Sequence, residues 1–110
     1  MLSSDVLRAH LSAILLSLIN EADRYGYELF SEICQRTDER LNIKEATLYA
    51  ILQRMEKQEL ISSYQGTISN GSKRRYYHIT QAGKEYLNNE LAMWQETKEI
   101  INIFLGGCSK

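Results

Sequence analysis

The sequence of 110 residues has no proline and lacks the common motifs of catalytic and metal-binding proteins. Its six glycines form no phosphate-binding loop, and no serine lies in a nucleophile elbow. Cys34 and Cys108 belong to no C-x-x-C pair, and neither has a zinc-ligand spacing with a histidine. We therefore expect two free thiols in a reducing compartment, no metal, no cofactor and no enzymatic activity.

Long apolar runs and a strong net charge are absent as well. No run approaches the roughly 20 apolar residues of a membrane span, and no secretory signal opens the chain, so we expect a cytoplasmic protein without membrane contact. The net charge of -1 gives no general indication of nucleic-acid binding. The charge is unevenly distributed, however: residues 44–78 carry six Lys and Arg against three acids, and residues 1–43 carry four against seven.

The length supports one domain, and apolar periodicity predicts that its first half is helical. A first helix over residues 5–20 has apolar residues on two faces, so one face is free for a partner beyond the core. GYELFSEICQR predicts a second helix. Asn42 and Glu45 have the spacing of a capping box and predict the start of a third helix, whose core stripe comprises Leu48, Ile51, Leu52 and Met55.

Two segments rich in β-forming residues follow, LISSYQGT and KRRYYHI, on either side of an Asn-Gly pair that predicts a hairpin. Thr80 is a candidate cap for a final helix that runs to Gly106 and Gly107. That helix has two apolar seams, and a domain of this size cannot bury both. We therefore predict a homodimer whose interface contains Leu87, Leu91, Trp94, Ile101 and Leu105.

Three helices followed by a hairpin are typical of a winged helix-turn-helix, in which the third helix enters the DNA major groove. We expect a mainly α (α+β) fold, with residues 1–79 as the DNA-binding domain and residues 80–107 as the dimerisation helix. The third helix exposes small residues, Ala46 and Ala50, among hydrogen-bond donors. The candidate DNA contacts on this helix and on the wing are Lys44, Thr47, Tyr49, Gln53, Arg54, Lys57, Lys73, Arg74 and Arg75.

Two of these assignments have structural alternatives. The three wing cations would equally suit a solvated hairpin that avoids edge pairing, although their position after a donor-bearing helix favours phosphate contact. Tyr49 would also suit packing against the wing. Gln53 has the functional group that reads an adenine edge, while Arg54 and Lys57 suit a guanine or a phosphate.

The run KEATLYAILQRMEKQELISSYQGTISNGSKRRYYHITQAGKEYL, preceded by YGYEL, resembles the PadR family of bacterial transcriptional regulators. The short length and the single helix after the wing resemble the small members of that family that sense drugs or other aromatic compounds. The resemblance implies a regulator, which we expect to be a repressor, that binds a double-stranded operator with inverted repeats. It also implies a two-fold dimer in which the last helix packs against the first helix of the partner.

Trp94 lies on the apolar seam of the last helix, where relatives that sense drugs carry a tryptophan that stacks on flat ligands. The resemblance therefore implies a planar aromatic effector, with the candidate ligand-binding residues Val6, Ala9, His10, Ala13, Trp94 and Lys98. Lys98 departs from the acidic residue usual in such relatives and favours anionic aromatics. A filled dimer interface around Trp94 is the alternative, and the protein would then be a constitutive DNA binder or a protein-interaction module.

Overall fold

The computed structural model describes residues 2–3, 7–67, 71 and 73–106. Four α-helices account for most of this chain: α1 (Leu11–Glu21), α2 (Gly26–Arg36), α3 (Glu45–Lys57) and α4 (Gln81–Leu105). A 3-10 turn, Arg8–His10, precedes α1. The strands are β1 (Leu2–Ser3), β2 (Arg24–Tyr25), β3 (Leu41–Asn42), β4 (Ile61–Thr67) and β5 (Lys73–Ile79). The mainly helical fold class predicted from the sequence is confirmed.

The wing is the antiparallel hairpin of β4 and β5, paired from Ile61 with Ile79 at its base to Thr67 with Lys73 near its tip. The short strand β2 joins the free edge of β5 and makes a three-stranded sheet. Asn70 of the predicted turn lies outside the described residues, but Gly71 has the positive φ of 86° that favours glycine in such turns.

One core joins the three helices to the base of the wing. The apolar stripe predicted on α3 is buried, with exposures of 0 to 6%, together with one face of α1 and the inner residues of α2. Tyr77 and Ile79 extend the core into β5. The buried hydrophobic residues also include Leu15, Leu16, Ile19, Leu29, Ile33, Ile43 and Ile61.

The first helix begins later than the periodicity predicts. Leu7 and His10 have φ near -106° and -108°, outside the α-helical range, and the His10 N–H donates to the Leu7 carbonyl in a 3-10 turn. The continuous α-helix therefore starts at Leu11 instead of residue 5. Residues 4–6 are outside the described part, so the start predicted for them has no structural counterpart here.

The capping box predicted at Asn42 is wrong. Asn42 belongs to β3, which pairs in parallel with β1, and the N-cap of α3 is Lys44, whose side chain makes no capping hydrogen bond. The reason is the burial of the two neighbours of Asn42, because Leu41 is 4% exposed and Ile43 is 2% exposed. An extended backbone turns both of these side chains toward the core, and it therefore keeps Asn42 in a strand. Helix α3 consequently starts at Glu45.

The cap predicted at Thr80 is confirmed, and it also orients α4. The Thr80 hydroxyl accepts a hydrogen bond from the Gly83 N–H at 3.0 Å and lies 2.7 Å from the Glu59 carbonyl, to which it donates. A Cβ on Gly83 would collide with the Leu60 carbonyl, so glycine allows α4 to lie against the turn between α3 and β4. The T-x-x-G sequence thus fixes the direction in which α4 leaves the wing.

Most of α4 extends away from the core. Its first turns pack against α1 and the core through Leu87, but from Leu91 onward its large apolar residues are exposed. The molecule measures 58 × 30 × 21 Å, and its radius of gyration of 15.8 Å exceeds the roughly 13 Å of a compact chain of this length. Large apolar residues are therefore buried in the folded body and exposed on the projecting part of α4.

Candidate DNA-binding surface and effector cleft

The outer side of α3 carries the side chains expected to meet DNA. Gln53, Arg54, Lys57 and the N-cap residue Lys44 are exposed, whereas Thr47 is half-buried. Ala46 and Ala50 are also exposed and leave this side of the helix without bulk. The arrangement follows from the helical period, because burying the apolar stripe turns these residues outward.

Tyr49 packs against α2, and the wing forms the opposite wall of the groove beside it. A Cβ on Gly26 would collide with the Tyr49 hydroxyl, so the phenol ring lies directly over the first residue of α2. Tyr49 remains 41% exposed. Tyr49 also lines the groove that Arg74, Arg75 and Tyr77 line from the wing, so packing against the wing stays a prediction.

The Arg54 side chain is turned toward α1. Its Nη2 donates to the Ser12 hydroxyl at 3.2 Å, which joins the recognition helix to the helix that packs against α4. Arg54 is still exposed, so its remaining N–H groups are free to reach a phosphate. The sequence indicated only that Arg54 lies on the exposed side of α3 with Gln53 and Lys57, and it did not indicate the hydrogen bond to Ser12.

A groove of about 520 Å³ separates α3 from the wing. Tyr49, Gln53 and Glu56 line its helical side, and Arg74, Arg75 and Tyr77 line the side of the wing. The three wing cations have different surroundings. The Arg74 guanidinium lies 5.5 Å from the centroid of the Tyr25 ring, whereas Arg75 Nη1 lies 3.8 Å from Glu56.

A second concavity, of about 340 Å³, lies between α1 and α4. Trp94 and Leu91 form its α4 wall, and His10, Ala13 and Ile14 face them from the α1 side. The His10 ring meets the edge of Trp94 with the centroids 5.5 Å apart, and Lys98 Nζ lies 5.8 Å from the Trp94 centroid.

The structure therefore brings four of the six candidate ligand residues, His10, Ala13, Trp94 and Lys98, to one place. Ala9 is exposed in the 3-10 turn and does not line this cleft. Its inclusion assumed a continuous helix from residue 5, and the 3-10 turn changes the direction of its side chain. Val6 lies outside the described residues.

The residues expected at the dimer interface are in two environments. Leu87 is partly buried against the core of its own chain. Trp94, Ile101 and Leu105 are 43, 47 and 82% exposed, and Leu91 is 54% exposed. The apolar row after Leu87 is therefore only partly covered by the described part of its own chain.

The model of the transcriptional regulator PadR-like family matches residues 15–89. The matched residues run from α1 through the recognition helix and the wing into α4, which is more than half of the chain. The chain belongs to the PadR-like family. As a PadR-like protein it is a winged-helix transcriptional regulator that binds DNA.

Solved structures resemble this PadR-like regulator over nearly its whole length. A transcriptional regulator from Clostridium thermocellum is 43% identical, with a TM-score of 0.84 over 93% of this chain and 99% of that one. A PadR-like transcriptional regulator from Bacillus cereus is 32% identical, with a TM-score of 0.84 over 96% of this chain and all of that one. An uncharacterised protein from Lysinibacillus sphaericus is 53% identical over 97% of this chain and 98% of its own.

The PadR-like regulator has groove residues that the sequence reading missed. Tyr25, Glu56 and Tyr77 line the groove beside the expected donors. A signal existed for two of them: Glu56 follows Gln53 at the i+3 helical position, and Tyr77 follows Arg75 at the two-residue period of a strand. Tyr25 had no such signal, because pairing of β2 with β5 brings it to the wing from a distant part of the sequence.

The outer face of the wing is attached through Asp23 to the turn between α1 and β2. The Tyr64 hydroxyl donates to Asp23 at 2.6 Å, and His78 Nδ1 lies 2.8 Å from the same carboxylate. Burial acts to raise the pKa of Asp23, but the hydrogen bonds from Tyr64 and His78 outweigh it and lower that pKa. His78 is thus a wing-strand residue, as its position in the sequence predicted.

The described residues contain no cluster of His, Cys, Asp and Glu able to hold a metal ion. Within the same ranges, no helix combines the length and apolarity that crossing a membrane requires. Cys34 is half-exposed and has no disulfide partner in the described part of the chain, and Cys108 lies outside it.

Proposed function

We propose that this PadR-like regulator is a two-fold dimer and a repressor that binds an inverted-repeat operator and is released by a planar aromatic effector. The observation that carries the proposal is the position of Trp94, which is half-exposed in a cleft and belongs to the exposed apolar row of α4. We place its action in the cytoplasm.

The dimer is supported by the exposed surface of α4. Leu91, Trp94, Ile101 and Leu105 recur at helical spacing and form a row that a second copy can cover with the same row, as a two-fold contact requires. Residues 80–107 are then the dimerisation region, and they also pack against the first helix of the partner. Leu87 contributes to the dimer interface with the part of its side chain that the core of its own chain leaves exposed.

DNA binding by this dimer is supported by the surface of α3 and the wing. In a two-fold dimer the two recognition helices enter successive major grooves about 34 Å apart, so the operator has inverted half-sites. In this proposal Gln53 reads an adenine edge, and Arg54 and Lys57 contact a guanine or a phosphate. Lys44, Thr47 and Tyr49 contact the backbone near the start of α3. Lys73, Arg74 and Arg75 contact phosphates flanking the groove.

The effector site is supported by the size and lining of the cleft. A volume of about 340 Å³ is within the range of small-molecule sites, and the indole ring offers a stacking surface. His10 and Ala13 form the opposite wall. Lys98 lies near the Trp94 ring, so a ligand that stacks there meets the ammonium, and an anionic aromatic gains a charge pair.

Release follows from the attachment of α4 to the wing through Thr80 and Gly83. We place the ligand at the centre of the dimer, between the Trp94 rings of the two chains. A ligand that separates these rings tilts the helices that carry the DNA-binding bodies and changes the spacing of the recognition helices. It shifts the equilibrium only by its preference for the spread state, and a preference of a few kcal/mol changes operator occupancy by orders of magnitude.

The test combines Trp94 fluorescence with operator release. A panel of flat aromatics, anionic and cationic, is titrated into the full chain, and the same compounds are added to the complex with an operator selected from random DNA. We expect quenching and release at matching concentrations, stronger for anionic compounds, and a reversed preference in Lys98→Asp. Tyr86→Phe on the exposed side of α4 is the control and should change neither signal.

Three results would contradict parts of the proposal. Sedimentation that shows a folded monomer at micromolar concentration removes the dimer. Replacement of all three wing cations by alanine with no change in affinity or salt slope removes the wing contact. Quenching without release, or no quenching by any compound, leaves a constitutive DNA binder or protein-interaction module whose interface is filled by Trp94.

A further inference from the structure

The three wing cations are not equivalent, because they point to different neighbours. Arg74 lies over Tyr25, and Lys73 has no ion pair with any described residue. Arg75 is directed to the recognition helix: its Nη1 lies 3.8 Å from Glu56 Oε1 and donates to the Ser63 hydroxyl at 3.3 Å. Arg75 therefore joins the wing to α3.

Glu56 is the centre of this connection. Its second carboxylate oxygen, Oε2, accepts a hydrogen bond of 2.5 Å from the Ser63 hydroxyl. Ser63 is on β4 and Arg75 on β5, and both face α3 because Ser63 pairs with Tyr77, two residues beyond Arg75. One carboxylate thus contacts both strands of the wing from the recognition helix.

The charge of Glu56 is unexpected at this place. Glu56 lines the groove between α3 and the wing, and its side chain is 35% exposed. A carboxylate there repels the phosphates of bound DNA, so charge alone predicts that its removal strengthens binding. The contacts of the same carboxylate with Arg75 and Ser63 predict the opposite result.

We propose that Glu56 is a positioning residue for DNA binding, which holds Arg75 and the wing at a fixed distance from the recognition helix. The guanidinium has five N–H donors, and the contacts with Glu56 and Ser63 leave donors free for a phosphate. Fixing the side chain beforehand reduces the entropy lost when it binds that phosphate. The proposal rests on the phosphate contact of the wing proposed above.

The test compares Glu56→Gln with Glu45→Gln, a change that removes an exposed carboxylate from the same helix. Glu45 has no ion pair within the described part of the chain. Operator affinity of the full chain is measured by fluorescence anisotropy over a series of salt concentrations. We expect Glu56→Gln to weaken binding about two- to fivefold per protomer. The salt slope should become shallower by less than the roughly 0.9 per protomer that the loss of a whole phosphate contact produces. Glu45→Gln should bind as tightly as the original protein or more tightly, with an unchanged slope.

Arg75→Gln separates positioning from a general effect on the fold. If Glu56 acts through Arg75, adding Glu56→Gln to Arg75→Gln weakens binding no further. Thermal unfolding followed by circular dichroism checks that each variant is folded. Ser63→Ala removes the hydrogen bond between β4 and the Glu56 carboxylate, so it should also weaken operator binding. This variant tests the proposal if Glu56→Gln does not fold.

Tighter binding by Glu56→Gln with an unchanged slope would show that the carboxylate only repels DNA. Equal weakening with and without Arg75 would show that Glu56 acts through the fold. Either result overturns the proposal. If Arg75→Gln itself changes neither affinity nor slope, the wing contact is also wrong, and this outcome distinguishes the failure of the proposed DNA surface from the failure of Glu56 alone.

Discussion

The recognition helix α3 and the second half of α4 have similar apolar spacing and opposite surroundings. On α3 the apolar stripe is at most 6% exposed, because α1, α2 and the wing cover it. On α4 the residues from Leu91 to Leu105 keep the helical repeat, yet Leu105 is 82% exposed. The repeat specifies that a helix has an apolar side, whereas the surrounding chain decides what covers that side.

The largest expected effect compares one leucine from each helix. Leu52→Ala should lower the free energy of unfolding by about 2 to 5 kcal/mol, because it leaves a cavity in a core where Leu52 is fully buried. Leu105→Ala should leave unfolding of the dilute protein unchanged. Urea denaturation followed by circular dichroism measures both.

The same two variants can be compared at different protein concentrations. If α4 is covered by a second copy, Leu105→Ala lowers the unfolding midpoint only at concentrations where the dimer forms. A large loss in the dilute Leu105 variant, equal to that of Leu52→Ala, would show that the folded body already covers the end of α4.

The junction between the body and α4 should show the next largest effect. Gly83→Ala should lower the free energy of unfolding by about 1 to 3 kcal/mol, because its Cβ meets the Leu60 carbonyl. Helix propensity predicts the opposite sign, and Asn88→Ala on the exposed side of α4 should stabilise by about 0.5 kcal/mol. Stabilisation by both changes in thermal unfolding would mean that the junction is not tightly packed.

A third prediction concerns the DNA-facing side of the body, which does not depend on contacts made by the end of α4. Gly26→Ala should displace the Tyr49 ring and weaken operator binding roughly fivefold, as for one lost hydrogen bond of about 1 kcal/mol. Stability should change little, since the displaced atoms are at the end of a side chain. Tyr49→Phe, which removes only the hydroxyl, should weaken binding similarly in an anisotropy titration. Unchanged affinity in both variants would show that Tyr49 does not contact the operator.

The smallest effect is expected from surface charges. Glu21 accepts hydrogen bonds from Arg36 and Arg24, and the Arg36 bond is the main reason that its pKa falls from 4.5 to about 2. A lowered pKa in the folded state stabilises the protein above pH 4.5, and this contribution is lost as the pH falls to about 2.

Glu21→Gln should therefore be less stable than the original protein at pH 7, and the difference should disappear near pH 2. Glu96 on α4 has no ion pair within the described ranges, so Glu96→Gln should show no such dependence on pH. Urea unfolding at several pH values measures both, and a difference for Glu21→Gln that is constant with pH would contradict the assignment.

Much of the fold was predictable because neighbouring residues carry the signal. The bounds of α2, the buried stripe of α3, the paired wing strands and the Thr80 cap all follow from local spacing and agree with the structure. The errors occurred where a local signal competed with burial. Asn42 has the residue type and spacing of a cap, yet Leu41 and Ile43 hold it in a strand.

The candidate sites were predictable as residue sets and less so as contacts. The exposed side of α3 and the basic end of the wing follow from the helical and strand periods. The link from Arg54 to Ser12 and the contact of Glu56 with Arg75 join residues 42 and 19 positions apart, for which the sequence contains many equally suitable partners.

The sequence by itself determined the order of the four helices and the wing hairpin, the side of each helix that is apolar and the family. These depend on residue spacing along one chain, which hydrophobic burial converts directly into secondary structure and orientation. Only the tertiary structure decided that Leu87 enters the core while Leu91 does not, and that Lys98 and His10 meet Trp94. The physical reason is that burial and pairing depend on distances in space, which are set when all the elements pack together.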